Sequence, residues 1–309
     1  MQRLAKALLL GCIAGLVLGS NLAIGLSAPS TSPVAPAGSE RPVRALLDLS
    51  GYEDQTEPLP AHAPAPAQAT GIGPGSHLII TMPGGTFGCT ANFVWTGNGK
   101  TFLGAAGHCF LPETKTATHG PGADYNPSAT TVRVCVAGCN FGGELGFVIT
   151  GTLATLGPVA YARQTQSGVD VGNDFGIVEI PSSLASQIRT AMPVWGGPTT
   201  TETLSAGKIV CHYGNGVAVG EVYPTMARAG VGIFGGTGAS WGADTPAAFG
   251  DSGSALNVCA QDAGGVHGRG AVGILTHLGV NTGFVLGTTM SRAIAMATQA
   301  GLTISVSLA

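Results

Sequence analysis

Ser252 lies in Phe249-Gly250-Asp251-Ser252-Gly253-Ser254-Ala255-Leu256, between glycines, beside an aspartate and just ahead of an apolar run. A serine hydroxyl is a poor nucleophile at neutral pH until a neighbouring base takes its proton. The flanking glycines permit backbone conformations closed to other residues and keep side chains out of a substrate's path. Such a turn can aim backbone N–H groups at one point, as stabilisation of an oxyanion requires. A base and a carboxylate should then lie upstream. Gly104-Ala105-Ala106-Gly107-His108-Cys109 closes an apolar strand in small residues and presents His108, whose imidazole can act as a base near neutral pH. Asn173-Asp174-Phe175-Gly176-Ile177-Val178-Glu179-Ile180 sets Asp174 at the head of an apolar strand. Partial burial there would demand a partner such as an imidazole N–H. Asp170 competes for this role, and Asp174 is preferred because it abuts the buried run. The plain readings are a common Gly-Ser turn, a structural loop histidine and a turn aspartate.

The elements that must position these residues read as β. From about Ser76 onward short apolar runs recur, punctuated by Gly, Asn and Pro: His77–Met82, Ala91–Thr96, Thr101–Ala105, Thr131–Val136, Glu144–Thr150, Phe175–Ile180, Lys208–His212, Val217–Tyr223, Ala255–Val258, Ala271–His277 and Gly283–Gly287. Many short strands at close spacing imply a sandwich or barrel, and about a dozen could divide into two half-barrels. Only Thr289–Gln299 reads as a helix, with Ser291 as its cap and Gly301 as its stop. Strands alternating with long helices are absent, which excludes a doubly wound α/β fold.

The chain has 309 residues, 44% of them hydrophobic but only 9% charged, against about 25% in ordinary soluble domains. With a net charge of −3 and no basic block, nucleic acid is excluded as a partner. Two positive charges in Met1–Lys6, an apolar run from Ala7 to about Leu26 and small residues at Leu26-Ser27-Ala28 read as an export signal over residues 1–28. Membrane association is expected only if that segment stays uncleaved. Residues 29–75 are rich in Pro, Ala, Ser and Thr and read as a disordered linker or short propeptide, with His62 a solvated bystander. Of seven cysteines Cys12 falls in the signal region, leaving six in an exported domain, which points to disulfides. Cys135 and Cys139 are close enough to staple a hairpin, Cys89 and Cys109 sit in neighbouring apolar runs, and Cys211 and Cys259 bracket the serine stretch. No compact Cys/His spacing suggests a metal.

His108 in Gly-His-Cys, Asp174 before an apolar strand and Ser252 in Gly-Asp-Ser-Gly follow one another in the order His, Asp, Ser. The chain from about Ser76 to Ala309 resembles the chymotrypsin-like serine proteases, in particular their secreted bacterial branch of streptogrisin and alpha-lytic type. The resemblance implies an all-β fold of two antiparallel six-stranded barrels with a C-terminal helix. It implies a secreted monomeric endopeptidase acting on protein or peptide substrates without cofactor or metal. Ser252 would be the nucleophile, His108 the base and Asp174 its orienting carboxylate. Gly250 and Ser252 would supply oxyanion N–H groups. Cys89–Cys109 looks like the family's bridge beside the histidine; Cys135–Cys139 and Cys211–Cys259 complete the pairing. Gly273–Gly279 looks like the strand that pairs with substrate, with Thr276 and Leu278 facing it.

Some features depart from that pattern. Ser254 stands where a second glycine is usual, and Asp251 needs an internal cation, for which Arg163, Arg189 and Arg228 are candidates. Asp244, ahead of the serine, hints at basic substrate side chains, whereas His277 hints at acidic ones. An α/β-hydrolase nucleophile elbow would need a helix after Ser252, and Ala255–Cys259 reads as a strand. The remaining alternative is a trypsin-fold binding protein with weak or no activity.

Overall fold

The computed structural model describes residues 70–309, apart from residues 84, 112–116, 120–128, 143–147, 165–170, 217–225, 237, 264 and 280–283. The export segment, nearly all of the linker, Asp170 and the Val217–Tyr223 run lie outside the described residues. Residues 71–75, at the end of the expected linker, are built into the domain. Ile72 is fully buried and bridges Ile188, and Gly71 N–H donates to Val136 O at 2.7 Å.

The first half contains β1 (His77–Met82), β2 (Gly85–Thr90), β3 (Val94–Gly97), β4 (Lys100–Ala105), β5 (Ala117–His119), β6 (Thr131–Gly142), β7 (Val148–Thr155), β8 (Val159–Gln164) and β9 (Phe175–Glu179). One antiparallel sheet runs β2-β1-β6-β7; the other includes β3-β4-β9-β8-β5. The chain passes between them without leaving the wall. Between β2 and β3, Ala91 N–H donates to Ser76 O and Asn92 N–H to Gly104 O. Between β7 and β8, Leu156 N–H donates to Val132 O and Gly157 N–H to Glu179 O. With β2–β3 and β7–β8 each taken as one bent strand, six strands close into a barrel, the bends turning its corners.

The second half contains β10 (Thr200–Thr201), β11 (Ile209–Tyr213), β12 (Ala227–Phe234), β13 (Ser240–Asp244), β14 (Ala255–Asp262), β15 (Gly265–Leu278) and β16 (Val285–Thr289). Its ladder runs β15-β14-β11-β12-β13-β16 and closes through β15–β16, a second six-stranded antiparallel barrel, with β10 added in parallel on β15. Helix α1 (Met290–Gln299) follows, and β17 (Ser305–Val306) returns to the edge of β3. This is the all-β, double-barrel architecture with a C-terminal helix that the resemblance implied.

Alternation explains which side chains fill each barrel. Trp241 and Ala243 on β13, Val210 on β11 and Leu256 and Val258 on β14 meet in one buried cluster. Trp95, Phe102, Phe110, Tyr161 and Phe175 belong to the larger cluster, each contributing about 1.5–3 kcal/mol through burial. Apart from the two- and three-residue β5, β10 and β17, four strands, β2, β8, β12 and β13, were not among the expected runs. They carry Gly85 and Gly88, Arg163, Arg228 and Gly242 at positions that interrupt an apolar pattern. The helix cap also differs: Thr289, not Ser291, accepts the Arg292 N–H at 3.3 Å, because the chain leaves β16 directly into α1.

Candidate active site

The first barrel places an imidazole and a carboxylate together. The β4–β9 ladder pairs Ala105 with Gly176, so the turn after β4 lies beside the residue that precedes β9. That turn, Gly107–Phe110, carries His108 and is held by a disulfide from Cys109 to Cys89 on β2, with Cα atoms 6.4 Å apart. His108 N–H donates to Asp174 Oδ1 at 2.9 Å, and His108 Nδ1 lies 2.6 Å from Asp174 Oδ2. An ionised carboxylate only accepts, so Nδ1 carries the proton and Nε2 of the neutral ring keeps its lone pair. The His108 side chain is 29% exposed and that of Asp174 only 2%. Burial alone would lower the His108 pKa, but the charge and hydrogen bonding of Asp174 outweigh it and hold the group above its usual 6.5. Burial would conversely raise Asp174, and the facing His108 holds it below the ordinary carboxylate value.

Asp174 is gripped from the other half of the molecule. Thr288 Oγ1 on β16 accepts from Asp174 N–H at 3.2 Å and donates to Asp174 O at 2.9 Å. Arg292 on α1 donates through Nε to Asn173 Oδ1 at 2.7 Å and makes a second bond to the same oxygen through Nη2.

The second barrel builds the serine turn around a charge pair. Asp251 is fully buried and accepts four bonds, from Arg228 Nη1 (2.8 Å), Arg228 Nη2 (2.7 Å), Gly216 N–H (2.7 Å) and Ala248 N–H (2.7 Å). Of the three candidate cations, Arg228 is the partner. Gly250 and Gly253 take φ of +102° and +95°, which glycine tolerates. A Cβ on Gly253 would stand 2.3 Å from Thr90 O, so the turn packs directly on the first barrel. Thr90 N–H donates to Ser252 O at 2.9 Å, and Cys109 Sγ lies 3.8 Å from the same oxygen. The half-buried Ser252 is thereby lodged against the loop that carries His108. Asp251, Gly253 and Ser254 N–H donate to Ala248 O, Leu275 O and Asp251 O. The N–H groups of Gly250 and Ser252 have no acceptor among the described residues.

The other expected members fall as follows. The pairs Cys135–Cys139 and Cys211–Cys259 are joined, with Cα atoms 6.1 and 6.0 Å apart. Thr276 is buried; its Oγ1 lies 2.7 Å from His277 Nδ1 and 3.4 Å from Val171 O and Leu286 O. Leu278 packs on the smaller core cluster. The side chain of this run that meets His108 is His277, with ring centroids 6.5 Å apart at 67°. Burial lowers the His277 pKa; Asp174 opposes this and His108 adds to it, so one carboxylate serves only one imidazolium. Asp244 keeps a buried Oδ1 without a partner, and its pKa is raised to about 6 by burial. Cys89, His108 and Cys109 bring metal-ligating atom types within 4.8 Å of one another, but the two sulfurs are spent in the disulfide. Sequence reasoning passed over Thr90, Thr288 and Arg292, which act over separations above a hundred residues and leave no local signal.

No family model and no curated protein matches the chain. Among solved structures, the thermostable serine protease AL20 from an extremophilic microorganism is 15% identical; the match covers 73% of this chain and 93% of that one, with a TM-score of 0.46. Protease Anisep from Arthrobacter nicotinovorans is 15% identical over 76% of this chain and 98% of that one, with a TM-score of 0.46. A glutamic-acid-specific serine protease, described as using a histidine triad in substrate binding, is 14% identical over 76% and 100%, with a TM-score of 0.41.

Proposed function

We propose that the protein is an exported serine endopeptidase that hydrolyses peptide bonds through an acyl-enzyme. Ser252 Oγ attacks the scissile carbonyl while His108 Nε2 takes its proton and then delivers it to the leaving amine. Asp174 holds Nδ1–H, fixing the tautomer and stabilising the imidazolium. Gly250 and Ser252 N–H receive the oxyanion; losing one such donor costs about 10²–10³ in turnover. Water then attacks the ester with His108 again as base, releasing the acid and restoring Ser252. Residues 1–28 direct export, residues 29–75 form a linker or propeptide, and the mature chain works as a monomer on protein or peptide substrates without a cofactor.

The observation that carries the reading is the His108–Asp174 pair: a partly exposed imidazole bonded through Nδ1 to a buried carboxylate, beside the turn that bears Ser252. Among the described residues no helix is long and apolar enough to cross a membrane. The test is reaction of the intact secreted protein with a fluorophosphonate and mapping of the modified residue. Labelling at Ser252, lost in Ser252→Ala, is expected; a folded preparation that takes no label would sink the proposal.

A further inference from the structure

We infer that Thr90, at the end of β2 in the first barrel, is a positioning residue that sets the oxyanion donors of the second. The inference rests on the serine-protease reading. Thr90 is fully buried, and its hydroxyl has one proton to give. Asn215 directs two N–H groups at Thr90 Oγ1, the backbone N–H at 2.9 Å and Nδ2 at 3.2 Å. The amide orientation of Asn215 is fixed because Nδ2 also donates to Gly75 O at 2.9 Å, a group that can only accept. With its lone pairs so engaged, Thr90 Oγ1 sends its proton to Gly250 O, 2.9 Å away. The backbone N–H of Thr90 donates to Ser252 O. One residue therefore holds the carbonyls of both residues whose N–H groups face no acceptor among the described residues.

This grip matters because of what Gly250 is. Glycine populates both signs of φ about equally, so nothing in its own side chain keeps it at +102°. The peptide between Gly250 and Asp251 is held on one edge by Asp251 N–H to Ala248 O at 3.0 Å. The Thr90 hydroxyl holds the opposite edge, so the plane that follows Gly250 is pinned, and the Gly250 N–H, in the preceding plane, turns from that pinned plane only through the dihedrals of Gly250 itself. The donor geometry of the second barrel is thereby referred to a side chain of the first.

The test compares Thr90→Val, which keeps shape and loses the hydroxyl, with Thr90→Ser, which keeps the hydroxyl. Thr90→Val should lower kcat for a peptide amide by about 10- to 100-fold, a fraction of the loss of a whole oxyanion donor. KM should stay within about twofold, and a peptide boronate should bind more weakly by the same factor as kcat. Thr90→Ser should restore both. Equal losses in Thr90→Val and Thr90→Ser, or unchanged kcat and boronate affinity in Thr90→Val, would overturn the inference. If Thr90→Val does not fold, Thr90→Ala carries the same comparison. A wild-type protein inert to fluorophosphonate would instead remove the protease reading and this inference with it.

Discussion

The two barrels hold their shares of the site by opposite means. The first ties His108 down covalently, through Cys109 and Cys89, and leaves its ring 29% exposed on a buried carboxylate. The second encloses the serine turn around Asp251 and Arg228, whose side chains are 0% and 4% exposed. An imidazole at the surface can exchange its proton with solvent near neutral pH, whereas a guanidinium stays charged throughout. The group that must change charge in every turnover of the proposed mechanism thus sits on a tethered, partly exposed loop. The turn that in the same reading must only stay in place is built on a buried ion pair. A buried ion pair of this kind is weak evidence for net stability. The four bonds that Asp251 accepts, two from Arg228 and two from backbone N–H groups, define a geometry instead.

The largest effect should come from the titrating side. Asp174→Asn removes the charge and offers Nδ1 a group that can donate, which selects the wrong tautomer; the equivalent change in a Ser-His-Asp triad lowers turnover about 10⁴-fold. The acid limb of kcat/KM also moves. His108 works as a base only above its pKa, which Asp174 holds above 6.5, so the wild-type limb lies above 6.5. Without that charge, burial dominates and the limb shifts to lower pH. A limb that stays in place would mean that Asp174 does not govern His108, and the contrast between the barrels would fail.

On the side of the ion pair, Arg228→Met leaves Asp251 buried without its cation, at about 3–5 kcal/mol. A fall in Tm of about 10 °C or more is expected by calorimetry, with fluorophosphonate labelling lost as the turn relaxes. Adding Asp251→Asn to that variant should recover much of the Tm and little of the labelling. Equal Tm values for the single and double variants would show that the unpaired charge is not the cause.

Two buried histidines supply a third contrast. His77 on β1 and His212 on β11 are lowered to about 4 chiefly by burial, with Arg228 adding to the effect at His212. Both are neutral when folded and take a proton on unfolding below about 6.5. The unfolded chain therefore binds more protons between about 6.5 and 4, and stability falls with pH across that window. Each contributes up to about 3 kcal/mol. His108 and Asp244, both raised, pull the other way as pH falls. The clean measurement is the difference in Tm between pH 6.5 and 4 for wild type against His77→Gln and His212→Gln. Each variant should flatten the acid loss, and unchanged slopes would remove these imidazoles from the acid response.

How much of this was legible in the sequence depends on how far each interaction reaches. His77–Met82 is a strand with the expected bounds, since six residues of apolar and β-branched type need no distant partner to announce themselves. His108 and Asp174 were legible because each closes or opens such a run, and the β4–β9 register then brings them together. Strand β12 was not, because Arg228 interrupts the pattern; a buried arginine makes sense only once Asp251 is seen beside it. The resemblance puts Thr276 and Leu278 on the substrate side of their strand; the member of that run that meets His108 is His277, and the β15–β16 register slips between Leu275 and His277. Local pattern specifies strands and their ends. It does not specify bulges or which cation is within reach.

The smallest effect tests where the two halves are laced together. Arg292, on the helix that follows the second barrel, holds Asn173 in the first, so the start of α1 matters to the carboxylate next to it. Two hydroxyls compete as the cap. Thr289 Oγ1 accepts from Arg292 N–H and donates to Gly238 O at 2.9 Å, while Ser291 is exposed and its Oγ lies 3.3 Å from Thr289 Oγ1. Thr289→Ala should cost about 1–2 kcal/mol, the loss of an N-cap, which is about 2–8 °C in Tm for a domain of this size. Ser291→Ala should stay within about 0.5 kcal/mol, as surface changes do. If the two variants melt alike, the helix is not anchored through Thr289. If Thr289→Ala also shifts the acid limb of kcat/KM downward, the strain of a frayed first turn reaches Asp174 through Arg292 and Asn173. The two barrels would then share control of the group that changes charge in the proposed mechanism.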